Sequence, residues 1–223
     1  QRPLSQRRAA LESLIQALPQ ATGVPAAGRL RLSQRLGLEA WDQLEPLRQQ
    51  ARCAGAEGLM LKALESPYLV GRKRGSWWKH KLDPYTLDAV LLYAQAGSGR
   101  RANLFTDYTF GLWDHPSGPG SKAADDSGEP PRLVSFAKAY SGLDDGEISA
   151  LDRWIRSHTI ERFGPVRSVE PLQVFELAFE GIQRSSRHKS GIAVRFPRIS
   201  RWRRDKPAAE ADTLATALAL LET

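Results

Sequence analysis

EGLMLKALESPYLVGRKRGSWWKHKLD, residues Glu57 to Asp83, sets one carboxylate ahead of a short apolar run and follows it with a dense cationic tract carrying a tryptophan pair. EGLMLK reads as a short strand. SWWKHKL reads as a second, with Trp77, Lys79 and Lys81 on one face and Trp78, His80 and Leu82 on the other, because strand side chains alternate. A carboxylate at the head of an apolar strand needs a cation, either a metal or a lysine. Strand geometry holds Lys79 and Lys81 about 7 Å apart, a spacing at which two ammonium groups repel unless an anion sits against them. A phosphate flanked by Glu57 and Mg²⁺ suits that place. An edge strand whose lysines guard against aggregation is the plainer alternative.

Upstream of this stretch, Leu11, Leu14, Ile15 and Leu18 recur at helical spacing after Ser5, a candidate N-cap, and Pro19 is expected to stop the helix. RLRLS (residues 29–33) reads as a short strand. WDQLEPLRQQARCAG reads as a helix that tolerates Pro46 only in its first turn and stops at Gly55.

Downstream of Asp83 and Pro84 the pattern changes. LDAVLLYAQ, RANLFTDYTFGLWD, RLVSFAKAY, LQVFELAFEGIQ and GIAVRFP all read as strands, separated by turn-rich pieces. HPSGPGSKAADDSGEPP reads as a polar loop between two of them. One helix interrupts the strands, with Asp144 as cap, Glu147 three positions on, and Ile148, Leu151 and Ile155 along one face. Five strands and an inserted helix point to a small barrel of the OB type, a fold suited to nucleic-acid backbones. A last helix is expected from about Ala208 to Leu221, apolar at Leu214, Leu218 and Leu221. The expected class is α+β, with a first domain over residues 1–83 and an OB domain over 84–223.

The chain's 223 residues, 41% of them hydrophobic, can bury a sizeable core, and the net charge of +7 favours polyanionic partners. Cys53 is the single cysteine, which excludes an internal disulfide and a cysteine-based zinc site and fits a reducing compartment. His80, His115, His158 and His188 are too dispersed for a zinc motif. No apolar run reaches the roughly 20 residues of a membrane span. The first residue is Gln1, which leads us to expect a fragment.

RFPRISRWRRDK places six cations in the twelve residues from Arg195 to Lys206, and arginine matches phosphate geometry better than lysine does. Taken in order with the two strands, this cluster makes the chain resemble the covalent nucleotidyltransferases, most closely ATP-dependent DNA ligases of the bacterial type. EGLMLK resembles that family's fourth motif, WWKHK its fifth and RISRWRRDK its sixth. FAKAYSGLDDGEI, VFELAFEGIQRS and HKSGIAVRFPRI are similar to its OB domain, and RPLSQRRAALE to the segment after its adenine-stacking strand. The resemblance implies ATP and Mg²⁺ as cofactors and nicked duplex DNA as partner, for a cytoplasmic, nucleoid-associated monomer. It implies that Glu57 helps bind the metal and that Lys79 and Lys81 contact the nucleotide α-phosphate, with Arg74 nearby. Arg203, Asp205 and Lys206, matching R-x-D-K, would act on the β and γ phosphates, and Arg195, Arg198 and Arg201 would lie toward DNA.

The family's nucleophile is the lysine of a K-x-D-G motif, and no such motif occurs here; Lys81-Leu82-Asp83-Pro84 comes too late and carries proline where glycine is required. The expectation is therefore the C-terminal part of a ligase, lacking the nucleophilic lysine. The rival readings are a non-catalytic OB module that binds DNA, and an RNA ligase or capping-type enzyme that shares the fourth and fifth motifs.

Overall fold

A computed structural model describes residues 2–22, 30–99, 102–115 and 130–221. The chain divides into two compact units, Gln1–Leu82 and Asp83–Thr223.

The first unit begins with helix α1 (Leu4–Thr22). It starts ahead of Ser5, so Ser5 lies in its first turn rather than capping it, and its hydroxyl donates to Glu65 at 3.4 Å. Pro19 does not stop the helix as expected. Its ring nitrogen carries no N–H, so the Ile15 carbonyl loses its intrahelical donor, and the helix continues for only three more residues. Leu11 and Leu14 are exposed. The Ser66 carbonyl accepts from the Leu4 amide and the Arg7 guanidinium, which ties the head of α1 to the segment after the first strand. RLRLS forms no strand in its described residues, 30–33; Ser33 instead receives the Arg8 guanidinium through its hydroxyl and carbonyl. A 3₁₀ turn (Trp41–Gln43) leads into α2 (Leu44–Cys53), with Pro46 in its first turn as expected. Gly55, at φ 66°, turns the chain toward β1 (Gly58–Lys62), which pairs antiparallel with β2 (Trp77–Lys81).

The second unit is built on a bent antiparallel sheet. Strand β3 (Tyr85–Ala96) is its spine, flanked by β4 (Phe105–Trp113) and β8 (Val174–Phe179), with β5 (Leu133–Ala139) beyond β4 and β11 (Arg198–Trp202) beyond β8. The far end of β3 also pairs with β7 (Val166–Val169), itself in a hairpin with β6 (Thr159–Phe163). Register shifts in β3–β4 and β4–β5 increase the local twist, as bulges do, and the separate hairpin of β9 (Gly181–Arg184) and β10 (Ile192–Arg195) lies against β5. Phe110, Phe175, Phe179, Leu91, Leu112 and Leu177 fill the interior.

Helix α3 (Asp145–Ser157) plugs this interior with Leu151 and Ile155, both fully buried. Its start is the capping box read from the sequence. The Glu147 amide donates to Asp144 Oδ1 at 2.8 Å, and the Asp144 amide donates back to Glu147 Oε2 at 3.1 Å.

Three elements of the second unit differ from expectation. The β6–β7 hairpin was not foreseen, although Gly164-Pro165 is a turn signal. The sequence of β11 shows mainly a basic run, yet Ile199 is buried within the strand. The continuous last helix is instead a 3₁₀ turn (Ala208–Glu210) and a short α4 (Leu214–Ala219), because the Thr213 side chain caps a new start by accepting from the Thr216 amide. The expected polar loop lies largely outside the described residues.

Candidate functional site

Two clusters of chemistry-bearing side chains emerge, one in each unit.

In the first unit, Gly58 is what brings Glu57 to the lysines. At φ 130°, with the position of a Cβ only 2.3 Å from the His80 carbonyl oxygen, no other residue fits there without displacing β2. Because the backbones approach so closely, the Leu82 amide donates to the Glu57 carbonyl at 2.9 Å, and Lys81 Nζ comes within 3.7 Å of Glu57 Oε2. Lys79 follows two residues before Lys81, on the same face by strand alternation and exposed. The opposite face is held by α2. Arg48 donates to the Lys81 carbonyl at 2.7 Å while its guanidinium grips Glu45, and His80 lies 3.6 Å from Glu45. These hydrogen bonds from Arg48, then Gln49, hold the Glu45 carboxyl down to about 2. Trp77 is locked by a 3.2 Å hydrogen bond to Ser66 and by Lys62 over its ring at 4.3 Å. Arg74 is exposed in the segment before β2.

Among the described residues no three His, Cys, Asp or Glu side chains gather closely enough to cage a metal. One carboxylate beside lysines fits a Mg²⁺ that draws its remaining ligands from water and nucleotide phosphates. Glu57 meets that requirement.

In the second unit, Trp202 ends β11 wedged into the core. It stacks on Phe175 at 5.3 Å, its indole N–H donates to Gln173 at 2.9 Å, and Arg204 covers it at 4.1 Å. The chain leaving this anchor carries Arg203, Asp205 and Lys206. Arg203 Nη1 and Lys206 Nζ each donate at 2.8 Å to the same oxygen, Oδ2 of Asp88 on β3. Arg203 also grips Asp205 through Nε and Nη2 at 3.1 and 3.0 Å. That grip raises the Arg203 pKa and lowers that of Asp205. Asp88 was absent from the sequence expectations. A lone acid in the buried run Leu87–Leu91 was the available signal.

The three arginines expected toward DNA are spread across the hairpin and sheet edge. Arg195 ends β10 and covers the ring of exposed Phe196 at 5.0 Å; Arg198 pairs with the largely buried Glu180 at 3.0 Å; Arg201 is exposed on β11. Phe196 has a left-handed backbone, φ 53°, which is costly for a bulky residue.

A hairpin with a carboxylate and two lysines, followed in the chain by an OB-like β unit carrying an R-x-D-K cluster, is the order of features of a nucleotidyltransferase. Residues 1–81 match the family described as "ATP dependent DNA ligase domain", and residues 101–206 match "ATP dependent DNA ligase C terminal region". The chain belongs to the ATP-dependent DNA ligase family. It is 38% identical to a probable DNA ligase of Koribacter versatilis over 97% of its own length and 37% of that protein's, and 40% identical to a probable DNA ligase of Opitutus terrae over 96% and 22%. The chain thus spans well under half of these relatives. A solved structure from work on Lig E DNA ligases superposes with a TM-score of 0.53 at 21% identity, over 86% of this chain and 56% of that one, which supports the α+β fold with an OB-like unit.

Proposed function

We propose that these residues form the C-terminal part of an ATP-dependent DNA ligase: the end of the adenylation domain followed by the OB domain. In the whole enzyme a lysine outside this chain attacks the α-phosphorus of ATP, forming a P–N bond as the bond to pyrophosphate breaks. A 5′-phosphate oxygen at a nick then takes the AMP, breaking the P–N bond. Finally the 3′-hydroxyl attacks the 5′-phosphate and releases AMP.

Lys79 and Lys81 neutralise the α-phosphate in each state, and their placement on a hydrogen-bonded hairpin keeps them aimed without further ordering. Glu57 holds Mg²⁺, which supplies further neutralisation of the nucleotide's phosphate charge. Arg74 lies by the nucleotide. Arg203 and Lys206 bind the β and γ phosphates, with Asp205 orienting Arg203. Arg195, Arg198 and Arg201 contact the DNA backbone.

The observation carrying this reading is the pairing of the Glu57–Lys79–Lys81 hairpin with the Arg203–Lys206 cluster in one chain, in the order of the family's motifs. The test compares nicked DNA with nicked RNA duplexes as substrates for the full-length ligase carrying these residues. ATP-dependent sealing confined to DNA is expected; preferential sealing of RNA would overturn the choice of substrate. For the chain alone, the log of DNA affinity should fall against log salt with a slope of about −0.9 per phosphate contacted. A slope worth fewer than roughly two contacts would remove the arginines from DNA.

A further inference from the structure

We propose that Asp88 is a positioning residue of the polyphosphate site, holding Arg203 and Lys206 as a preformed pair of donors. This rests on the reading of those two cations given above.

Asp88 occupies an unfavourable place for an acid. Its neighbours Leu87, Ala89, Val90 and Leu91 are buried, its own side chain is 10% exposed, and it stands on the first strand of the unit, 115 positions from Arg203 in sequence. A carboxylate in such a place is tolerated only when paired. An arginine paired with a carboxylate frequently engages both oxygens in a fork-to-fork geometry. Here both cations converge on Oδ2, and Oδ1 is buried with no hydrogen-bond partner.

The shared oxygen determines the cations' geometry. Each nitrogen lies 2.8 Å from the same atom, so the two are within twice that distance of each other. At that spacing they repel, and without the carboxylate a flexible lysine stem and an arginine would swing apart toward solvent. Asp88 is also more deeply buried than the cations it holds, whose side chains are 20% and 21% exposed. It therefore anchors them from the protein side. The remaining Lys206 donors have no partner among the described residues, so donor capacity is left over for an incoming phosphate.

The backbone secures the anchor. The Asp88 amide donates to Asp212 Oδ2 at 2.7 Å, and the Asp212 amide returns a bond to the Asp88 carbonyl at 2.8 Å, fastening the segment after R-x-D-K to β3. Arg203 is fixed in turn by its own amide on the Val174 carbonyl at 2.9 Å.

The experiment uses the 223-residue chain and inorganic tripolyphosphate, titrated by calorimetry at low salt, for wild type, Arg203→Ala, Asp88→Asn and Asp88→Glu. Removing a negative charge beside two cations should by itself tighten anion binding, so positioning and simple electrostatics predict opposite signs for Asp88→Asn. Positioning predicts affinity about tenfold weaker than wild type in Asp88→Asn, comparable to Arg203→Ala, and at least threefold weaker in Asp88→Glu, which keeps the charge but moves it by one methylene. Asp88→Glu also retains an ion pair for the partly buried cations, so it reports if Asp88→Asn does not fold; melting curves establish which variants are folded. Binding lost in Arg203→Ala but unchanged or tighter in the folded Asp88 variants would overturn the role of Asp88 alone. No saturable binding by wild type would overturn the phosphate reading of Arg203 and Lys206, and this inference with it.

Discussion

Arg203→Ala in the full-length ligase should separate the first catalytic step from the last. The structural cost comes first. Arg203 donates to a largely buried carboxylate, but Lys206 remains on the same oxygen, so the mutation does not orphan Asp88. The loss is then that of a hydrogen bond to a charged group, about 1.5–3 kcal/mol, rather than the 3–5 kcal/mol typical of a stranded buried ion. For a unit spanning Asp83–Thr223, with roughly 2 cal/mol/K of unfolding entropy per residue, that lowers Tm by about 5–10 °C. Assays at 25 °C still sample folded protein for a unit of ordinary mesophilic Tm. The catalytic effect follows from where pyrophosphate is. On the role proposed above, Arg203 meets the β and γ phosphates, present only while ATP is bound, so self-adenylylation should fall by about 100-fold or more, near 2.7 kcal/mol of barrier. Sealing of a pre-adenylated nick should stay within about tenfold of wild type, or 1.4 kcal/mol. Lys206→Ala should behave alike, whereas Lys79→Ala and Lys81→Ala should slow both steps because the α-phosphate is present in both. Each variant is read by two rates, ATP-dependent adduct formation and ATP-independent sealing. Equal losses in both for Arg203→Ala and Lys206→Ala would refute the reasoning and move that cluster onto DNA or into a structural role.

Incubated with Mg²⁺ and labelled ATP, the 223-residue chain should form no covalent AMP adduct, since no lysine here sits in a K-x-D-G setting; a stoichiometric acid-labile adduct would relocate the nucleophile. Gly58→Ala should cost the first unit about 3 kcal/mol or more, because a side chain at φ 130° would meet the His80 carbonyl, and proteolysis between residues 58 and 81 should accelerate; an unchanged digestion pattern would contradict the close approach. The Glu45 carboxyl is held below its ordinary value of 4.5, at about 2, by Arg48 and Gln49. A depressed acid adds stability above its unfolded value and loses it as pH falls through the folded one. Glu45→Gln should therefore flatten the acid limb of the first unit's unfolding profile between pH 4.5 and 2, with a parallel profile counting against the pairing.

What could be read in advance was whatever depends on near neighbours in sequence. The Asp144–Glu147 box needs only a three-residue spacing, and the shared face of Lys79 and Lys81 needs only strand alternation. The errors arise where a distant partner decides. Arg198, Arg201 and Arg203 gave a basic run its appearance, while Ile199 and Trp202, the two residues that pack inward, make the same segment a strand. Leu11 and Leu14 have helical period, yet period alone cannot say that they stay exposed in this chain. Asp88 is the sharpest case. Its partners lie 115 and 118 positions away, so no local window contains the pair, and on its own it looks like a defect in an apolar strand. The same remoteness gives it a use. A partner supplied from the opposite end of the unit can direct Arg203 and Lys206 only after β3, β8 and β11 have assembled, so the donor pair exists only in the folded barrel. A lone acid inside a buried strand is thus a signal to look for remote cations, and for the anion they are arranged to receive.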